Sequence, residues 1–233
     1  VDYTLGNRRV QLYLSKAPTG QINVLHSTWD IWRQEWFHSS EFVLRAPENY
    51  RQVWNSTCMY CHVTQHRQDV KGFDSETMTF STEWVESSAG CERCHGPMLE
   101  HTPTSETDPI AADGSFEQLM VCGQCHWPKT VIATGFDARK PYLDYYMPMV
   151  ASWDVDTTVD PDWWADGRPR HFSMEAPAFF LSGCFQSGEA TCMSCHDPHW
   201  NRTDPNEQLM ERADEFCVGC HTTDYDGEHT NHE

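Results

Sequence analysis

Five short segments of the sequence repeat one arrangement, two cysteines three positions apart with a histidine directly after the second. They read CMYCH at 58–62, CERCH at 91–95, CGQCH at 122–126, CMSCH at 192–196 and CVGCH at 217–221. With 11 cysteines and 13 histidines among 233 residues, chance predicts roughly 0.03 such pentapeptides. The repetition therefore indicates five copies of one chemical device.

The spacing suits covalent attachment of a haem. Two cysteines three positions apart can each add across one vinyl group of a porphyrin, and the adjacent histidine then lies under the iron as its proximal ligand. We therefore predict five haem c groups. The predicted attachment residues are Cys58, Cys61, Cys91, Cys94, Cys122, Cys125, Cys192, Cys195, Cys217 and Cys220. The predicted proximal ligands are His62, His95, His126, His196 and His221.

Two other uses of cysteine compete with haem attachment. Cysteine pairs of this spacing also bind zinc, but zinc does not need a histidine in the next position, and here one follows every pair. Disulfides suit an oxidising compartment, yet thioether bonds would use ten of the eleven cysteines. The remaining one, Cys184, is predicted to be a buried packing residue.

Composition limits the class of protein. Only 39% of the residues are hydrophobic and the mean hydropathy is −0.65, so haems would form much of the interior. The net charge of −19 argues against nucleic acid and anionic membranes as partners. No apolar run is long enough for a transmembrane helix. Because no signal peptide begins the sequence, we expect a processed or excerpted form.

The predicted fold is mainly α with much irregular coil and a small N-terminal β-hairpin, organised around the five haems. Alternating Val10, Leu12 and Leu14, a turn at 17–20, and a second apolar stretch at 22–25 predict the hairpin. The tryptophans at 29, 32 and 36 have the spacing of one helix face and predict a Trp-rich helix.

We divide the chain into four segments, expected to form one compact unit. They are 1–50 with the hairpin and Trp-rich helix, 51–130 with three haem sites, 131–190 as an aromatic and acidic connection, and 191–233 with two haem sites. Five aspartates in 154–166 suggest calcium, but the spacing departs from an EF-hand, so a solvated acidic loop is the favoured interpretation.

Eight histidines lie outside the motifs, enough to give every iron a second imidazole. They are His26, His38, His66, His101, His171, His199, His229 and His232. Two imidazoles close an iron to substrate, whereas a five-coordinate iron could bind a small nitrogen compound. Methionine ligation remains an alternative at Met98, Met120 or Met147. His199 lies three positions after His196, so we expect it to serve a neighbouring haem.

The segments CERCHGPMLEH, SGCFQSGEATCMSCHDPH and EHTNH, together with YTLGNRRVQLYL near the start, resemble multihaem c-type cytochromes. The similar group includes the nitrifier tetrahaem cytochrome, hydroxylamine oxidoreductase and relatives fused to tetratricopeptide repeats. Those relatives carry further haem sites beyond both ends of the matching region. The resemblance thus implies a trimmed chain, or a subunit that obtains missing contacts from neighbours. It also implies an exported protein, periplasmic or extracellular, because such cytochromes receive their haems on the outer side of the cytoplasmic membrane.

The resemblance also implies distal ligands. Its matching positions are His101 and His199, with His229 and His232 competing for a third. By elimination, His38 and His171 are the remaining distal candidates. His26 and His66 are expected at the surface.

The leading functional prediction is an electron-transfer protein that passes electrons along mostly bis-histidine haems between exported redox proteins, with no substrate chemistry of its own. One alternative is a subunit of an extracellular cytochrome filament or larger redox complex, with copies of itself as partners. The other is an oxidoreductase with one open haem acting on a small nitrogen or sulfur compound.

Overall fold

A computed structural model describes residues 1–42, 50–64, 72–96, 114–151, 163–165, 167–170, 174–199 and 213–221. The chain divides into two units, Val1–Leu181 and Ser182–Glu233. The four-segment division drawn from the sequence stays a prediction. The aspartates considered for calcium lie outside the described residues.

The N-terminus forms a four-stranded antiparallel sheet in the order β1-β2-β3-β4. Its strands are β1 (Tyr3–Leu5), β2 (Val10–Lys16), β3 (Ile22–Asp30) and β4 (Glu35–His38). The predicted hairpin is confirmed as β2 and β3, where the apolar positions Leu12, Leu14, Ile22 and Val24 are all buried. Alternation places these side chains on one face of the sheet, which forms one wall of the core.

The predicted Trp-rich helix is wrong. Trp29 lies on β3 and is paired with Trp36 on β4, and their rings lie 5.2 Å apart. Trp32 lies in the connecting turn and is exposed. The Asp30 carboxylate accepts the backbone N–H groups of Trp32 (3.0 Å) and Arg33 (2.9 Å). Because this side chain satisfies the donors of a tight turn, the chain reverses instead of continuing as a helix.

The open side of the core is closed by residues 50–63, which lead into the first motif. The buried residues contributed by this segment are Tyr50, Trp54, Met59, Tyr60 and Val63. Asn55 is fully buried here, and its Oδ1 accepts the backbone N–H of Ile22 at 2.6 Å. Its Nδ2 donates to the Thr82 hydroxyl (2.8 Å) and the Gly20 carbonyl (3.3 Å). Asn55 therefore attaches the first motif to the sheet and to a later loop.

The helices are short. They are α1 (Ser39–Phe42), α2 (Met59–His62), α3 (Glu92–His95), α4 (Ser115–His126), α5 (Ala176–Leu181), α6 (Gly183–Gln186) and α7 (Ala213–Cys220). Turns of 3₁₀ type cover Trp54–Ser56, Tyr142–Asp144 and Cys192–Ser194. Two small hairpins pair β5 (Phe73–Asp74) with β6 (Thr79–Phe80), and β7 (Lys129–Val131) with β8 (Tyr146–Pro148).

The expectation of a mainly α fold is not confirmed. The described strands include β3 with nine residues, while most described helices have four to eight. The physical reason is the motif itself, since two cysteines and a histidine need only one helical turn to share a face. Among the described helices, none is long and apolar enough to cross a membrane.

Cys184 was predicted to be buried, and this prediction is also wrong. It lies in α6 and is exposed, whereas the neighbouring Phe185 is the buried side chain of that helix. Ser182 precedes α6 and its side chain accepts the Phe185 backbone N–H. The helix is thus fixed by its N-cap and by Phe185, and packing does not require the cysteine.

Candidate haem-attachment sites

Each of the five motifs folds as a helical turn. In four of them, the histidine N–H donates to the carbonyl of the first cysteine at 2.8–3.0 Å, in 58–62, 91–95, 192–196 and 217–221. The remaining motif, 122–126, forms the end of α4. Positions i, i+3 and i+4 of a helical turn share one face, so each turn brings two thiols and an imidazole to one side. A doubly attached haem with a proximal histidine needs this arrangement.

The chemistry of these residues fits haem c. All eleven cysteines lie in described segments, and none forms a disulfide there. Burial lowers the pKa of His62, with the Cys61 charge opposing it. A lowered pKa keeps the imidazole neutral, which is the form that binds iron. The His62 imidazole is therefore in the protonation state that iron ligation requires.

The first three motifs pack together through the variable residues between their cysteines. Arg93 is only 3% exposed, and its Nη2 donates to the Tyr60 carbonyl. Gln124 is also buried, and its Nε2 donates to the carbonyls of Arg93 (2.7 Å) and Val121 (2.9 Å). One variable residue from each motif thus takes part, and the resulting cluster of Tyr60, Arg93 and Gln124 is called the three-motif cluster below.

The second cysteines of the first and third motifs meet beside this cluster. Cys61 Sγ lies 3.7 Å from the Gln124 carbonyl and 3.9 Å from that of Cys125. Cys125 Sγ lies 3.7 Å from the Cys61 carbonyl. These short separations place two predicted attachment points next to each other.

Two cations lie at this meeting point. Arg93 Nη2 is 3.9 Å from Cys125 Sγ, and Lys129 Nζ is 3.6 Å from Cys61 Sγ. A hydrogen bond with Cys125 and the charge of Lys129 lower the pKa of Cys61, whereas that hydrogen bond and burial raise the pKa of Cys125. The Lys129 ammonium, 3.6 Å from Cys61 Sγ, therefore favours the thiolate form of Cys61.

An aromatic wall covers the side of α4 that carries the third motif. Phe136, Tyr142 and Tyr146 are buried with ring centroids 5.1–6.0 Å apart. The Tyr142 hydroxyl donates to the Gly123 carbonyl at 3.3 Å. Burial raises the pKa of both tyrosines, so both phenols remain neutral. The wall supplies a rigid environment of low polarity beside Cys125.

The predicted proximal ligand of the third motif has an acidic neighbour. Nδ1 of His126 lies 3.6 Å from Oε2 of Glu175, just before α5. Proximal imidazoles bind iron through one nitrogen, and a carboxylate near the other increases their basicity. Glu175 is therefore placed to influence the iron through His126.

Gly96 follows the second motif directly and has a left-handed backbone, with φ of +74°. A Cβ at this position would lie 2.5 Å from Arg139 Nε and 2.9 Å from Asp137 Oδ1. These two residues form an ion pair at 2.9 Å. The glycine therefore permits both the chain reversal after His95 and the close approach of that pair.

We expect Gly96→Ala to lower the free energy of unfolding by about 1–2 kcal/mol, because alanine is strained at this φ and its Cβ displaces the ion pair. Denaturant titration measures the change. Gly219→Ala is the matched control, since Gly219 is also in a motif but lies in α7, where an added Cβ would meet no atom within 4 Å. Equal losses in both variants would contradict the explanation.

Two of the distal candidates lie in described segments. His38 ends β4, and its Nδ1 is 2.7 Å from the Ser40 hydroxyl and 3.1 Å from the Ser40 backbone nitrogen. The exposed His26 packs against it, with ring centroids 5.2 Å apart. Contacts at Nδ1 orient an imidazole whose Nε2 is the binding nitrogen. The ligand assignment of His38 stays a prediction.

His199 lies in a turn after the fourth motif. Its backbone N–H donates to the Asp197 carboxylate at 2.9 Å, and its exposed ring lies 3.8 Å from the same group. The other candidates, at 101, 171, 229 and 232, lie outside the described residues, as does His66, which was expected at the surface. The distal assignments all stay predictions.

The second unit brings the fourth and fifth motifs together. Burial raises the pKa of Cys195, and the charges of Cys184, Cys220 and Cys217 raise it further. Thiols from both motifs are thus close enough to interact, and Cys184 lies among them. The position of Cys184 beside the attachment residues, despite its lying outside any motif, was not expected from the sequence.

Sequence reasoning missed the residues that join the motifs. Arg93 and Gln124 occupy positions that the motif leaves variable, and Lys129 and Glu175 lie outside it. The one available signal was Arg93, a basic residue between attachment cysteines in a chain of net charge −19. Its burial could not be inferred from that position.

Family models match two parts of the chain. The model described as cytochrome c554 and c-prime matches residues 27–96, and the doubled CXXCH motif model matches residues 184–225. No curated protein matches the chain. The finer resemblance to the hydroxylamine oxidoreductase group and to tetratricopeptide fusions stays a prediction.

Two solved structures are similar. The outer cell wall cytochrome OcwA has 21% identity and a TM-score of 0.59, with 91% of this chain and 53% of that chain covered. An undecahaem cytochrome from the S-layer of Carboxydothermus ferrireducens has 19% identity and a TM-score of 0.48, with 95% and 35% covered. This chain thus spans about half the length of the first structure and less of the second. The first likeness establishes a shared fold.

Proposed function

We propose that this chain, a multihaem c-type cytochrome, carries electrons along five covalently attached and mostly bis-histidine haems between exported redox proteins. The observation that supports this best is the meeting of the first three motifs. Cys61 and Cys125 lie against each other's backbone, and Arg93 of the second motif contacts both the first and the third motif. Attachment points this close require neighbouring haems, and electron transfer between haems depends on their proximity.

Each residue class has a distinct task in this proposal. The ten motif cysteines hold the haems, and His62, His95, His126, His196 and His221 bind the irons from the proximal side. His38, His101, His171, His199 and one of His229 and His232 close the distal side. Haem supplies an iron that changes oxidation state, and two imidazoles allow that change with little rearrangement.

The proposed location is outside the cytoplasmic membrane, either periplasmic or extracellular. One of the similar structures is named as an outer cell wall cytochrome. The net charge of −19 favours redox partners that present basic or neutral surfaces. A subunit role in a filament or larger redox complex predicts self-association, which size-exclusion chromatography with light scattering would detect.

Spectroscopy of the purified holoprotein tests the proposal. We expect an intact mass larger than the polypeptide by five haems, low-spin ferric spectra and no carbon monoxide binding by the ferrous protein. Carbon monoxide binding at one haem per chain would instead support the oxidoreductase alternative. A mass equal to that of the polypeptide would refute haem attachment altogether.

A further inference from the structure

The interior of this acidic protein contains two cations at the contact between the first and third motifs. Arg93 and Lys129, called the cationic junction below, lie 3.9 Å and 3.6 Å from Cys125 Sγ and Cys61 Sγ respectively. Arg93 is nearly fully buried, and Lys129 is half-buried with its ammonium 5.1 Å from the centre of the Tyr146 ring. Two like charges thus lie beside two neighbouring attachment sulfurs.

Protein carboxylates do not neutralise this junction within the segments that the structure describes. No ion pair involves Arg93 or Lys129 there, although 35 acidic residues are present in the chain. The Nε and Nη1 atoms of Arg93 also have no hydrogen-bond partner in those segments. A buried guanidinium is costly to desolvate, so its position calls for a compensating interaction.

Reduction of an attached haem provides such an interaction. One electron from a donor protein converts ferric to ferrous iron without breaking a bond, and the net charge of the haem falls by one. A nearby fixed cation stabilises the product relative to the reactant, and a surrounding of low polarity strengthens the effect. The aromatic wall of Phe136, Tyr142 and Tyr146 supplies that surrounding.

We propose that the cationic junction raises the reduction potentials of the haems attached at Cys61 and Cys125, so that electrons reside preferentially on this pair. The inference rests on the proposed function, because it needs haems at both motifs. Haems with raised reduction potentials accept electrons from the other haems. The proposal therefore gives electron flow along the chain of haems a direction, toward this pair. Arg93 and Lys129 are positioning and tuning residues that bind no substrate.

Two substitutions of Arg93 distinguish the effect of its charge from the effect of its shape. Arg93→Met removes the charge, whereas Arg93→Lys retains it and loses the planar hydrogen-bonding group. We expect Arg93→Met to lower the ferrous-to-ferric ratio of the affected haems roughly tenfold at a fixed applied potential. In Arg93→Lys, the same ferrous-to-ferric ratio should remain within about threefold of the wild-type value. A purely structural role would instead make both variants behave alike.

Lys129 provides a variant that disturbs the fold less, because it is only half-buried. Lys129→Met should lower the same ratio by about threefold, a smaller change since water screens its charge more. The exposed Lys140 lies beyond the same motif, and Lys140→Met is the matched control with no expected shift. Glu175→Gln removes a carboxylate near His126 and should raise the reduction potential of the haem at the third motif, opposite to the effect of Lys129→Met.

Spectroelectrochemical titration of each holoprotein, with haem counted by intact mass, decides the outcome. Lowered potentials in the Lys129→Met protein, and in the Arg93→Met protein if it folds, support the inference. Unchanged potentials in Lys129→Met with full haem content and low-spin spectra would overturn it and leave electron transfer standing. Missing haem or high-spin iron in the wild-type protein would instead overturn the proposed function.

Discussion

Replacing Cys122 and Cys125 together by alanine is expected to remove one haem, roughly a fifth of the total, from each chain. The two thioether bonds of the third motif cannot form, and His126 alone does not retain a haem through purification. The change also removes the Cys125 sulfur that lies beside the three-motif cluster, 3.9 Å from Arg93 Nη2. We therefore expect lower stability in addition to the loss of haem. Intact mass and the alkaline pyridine spectrum measure the haem count.

Cys184→Ala is the matched control for this experiment. Cys184 is exposed and lies outside every motif, so its replacement should leave the haem count unchanged. A full haem count in the double variant would show that 122–126 is not an attachment site. Loss of haem in the control would mean that Cys184 takes part in attachment.

Asn55→Ala is expected to lower the free energy of unfolding by about 3 kcal/mol. The substitution removes three hydrogen bonds and leaves the buried backbone N–H of Ile22 without its 2.6 Å acceptor. A buried donor left unsatisfied costs roughly 1–3 kcal/mol, and the lost Thr82 and Gly20 contacts add to this cost. Because Asn55 lies three residues before Cys58, we also expect the backbone N–H groups of the first motif, residues 58–62, to exchange with solvent faster. Denaturant titration and hydrogen exchange measure the two effects.

Asn23→Ala controls for the loss of an asparagine from the same sheet. Asn23 is half-buried and its side chain accepts one hydrogen bond from Gln21 at 2.6 Å, so we expect a loss below about 1 kcal/mol. Similar destabilisation of both variants would contradict the role given to Asn55. A slower exchange rate at residues 58–62 in Asn55→Ala would contradict the link to the first motif.

Local features of the fold were predictable from short stretches of sequence. The alternation of Val10, Leu12 and Leu14 led to a hairpin, and β2 and β3 confirm it. The spacing within each motif predicted two thiols and an imidazole at one site, and in four motifs the backbone hydrogen bonds form a turn that places the three groups on one face. Such features can be read from the sequence because the relevant interactions lie within a few residues or follow from one repeating pattern.

The Trp-rich segment shows where a local pattern is insufficient. Tryptophans at 29, 32 and 36 fit one face of a helix, but they fit a strand, turn and strand equally well. The choice was made by the Asp30 side chain and by pairing of Trp29 with Trp36 across the hairpin. The spacing of the tryptophans alone does not distinguish the two arrangements. Over only eight residues it agrees both with the 3.6-residue period of a helix and with two short strands joined by a turn.

By itself, the sequence determined which residues could attach haem, since a pair of thiols and an imidazole need only five consecutive residues to form one candidate site. Tertiary structure decided which sites meet and what charge surrounds them. The contacts responsible join Tyr60 with Arg93, Arg93 with Gln124, and Cys61 with Cys125, at separations of 33, 31 and 64 positions. No local spacing encodes such contacts, because they depend on how the intervening segments fold. The charged surroundings of the first and third motifs therefore arise from packing, whereas the proposed capacity to attach haem rests on each motif alone.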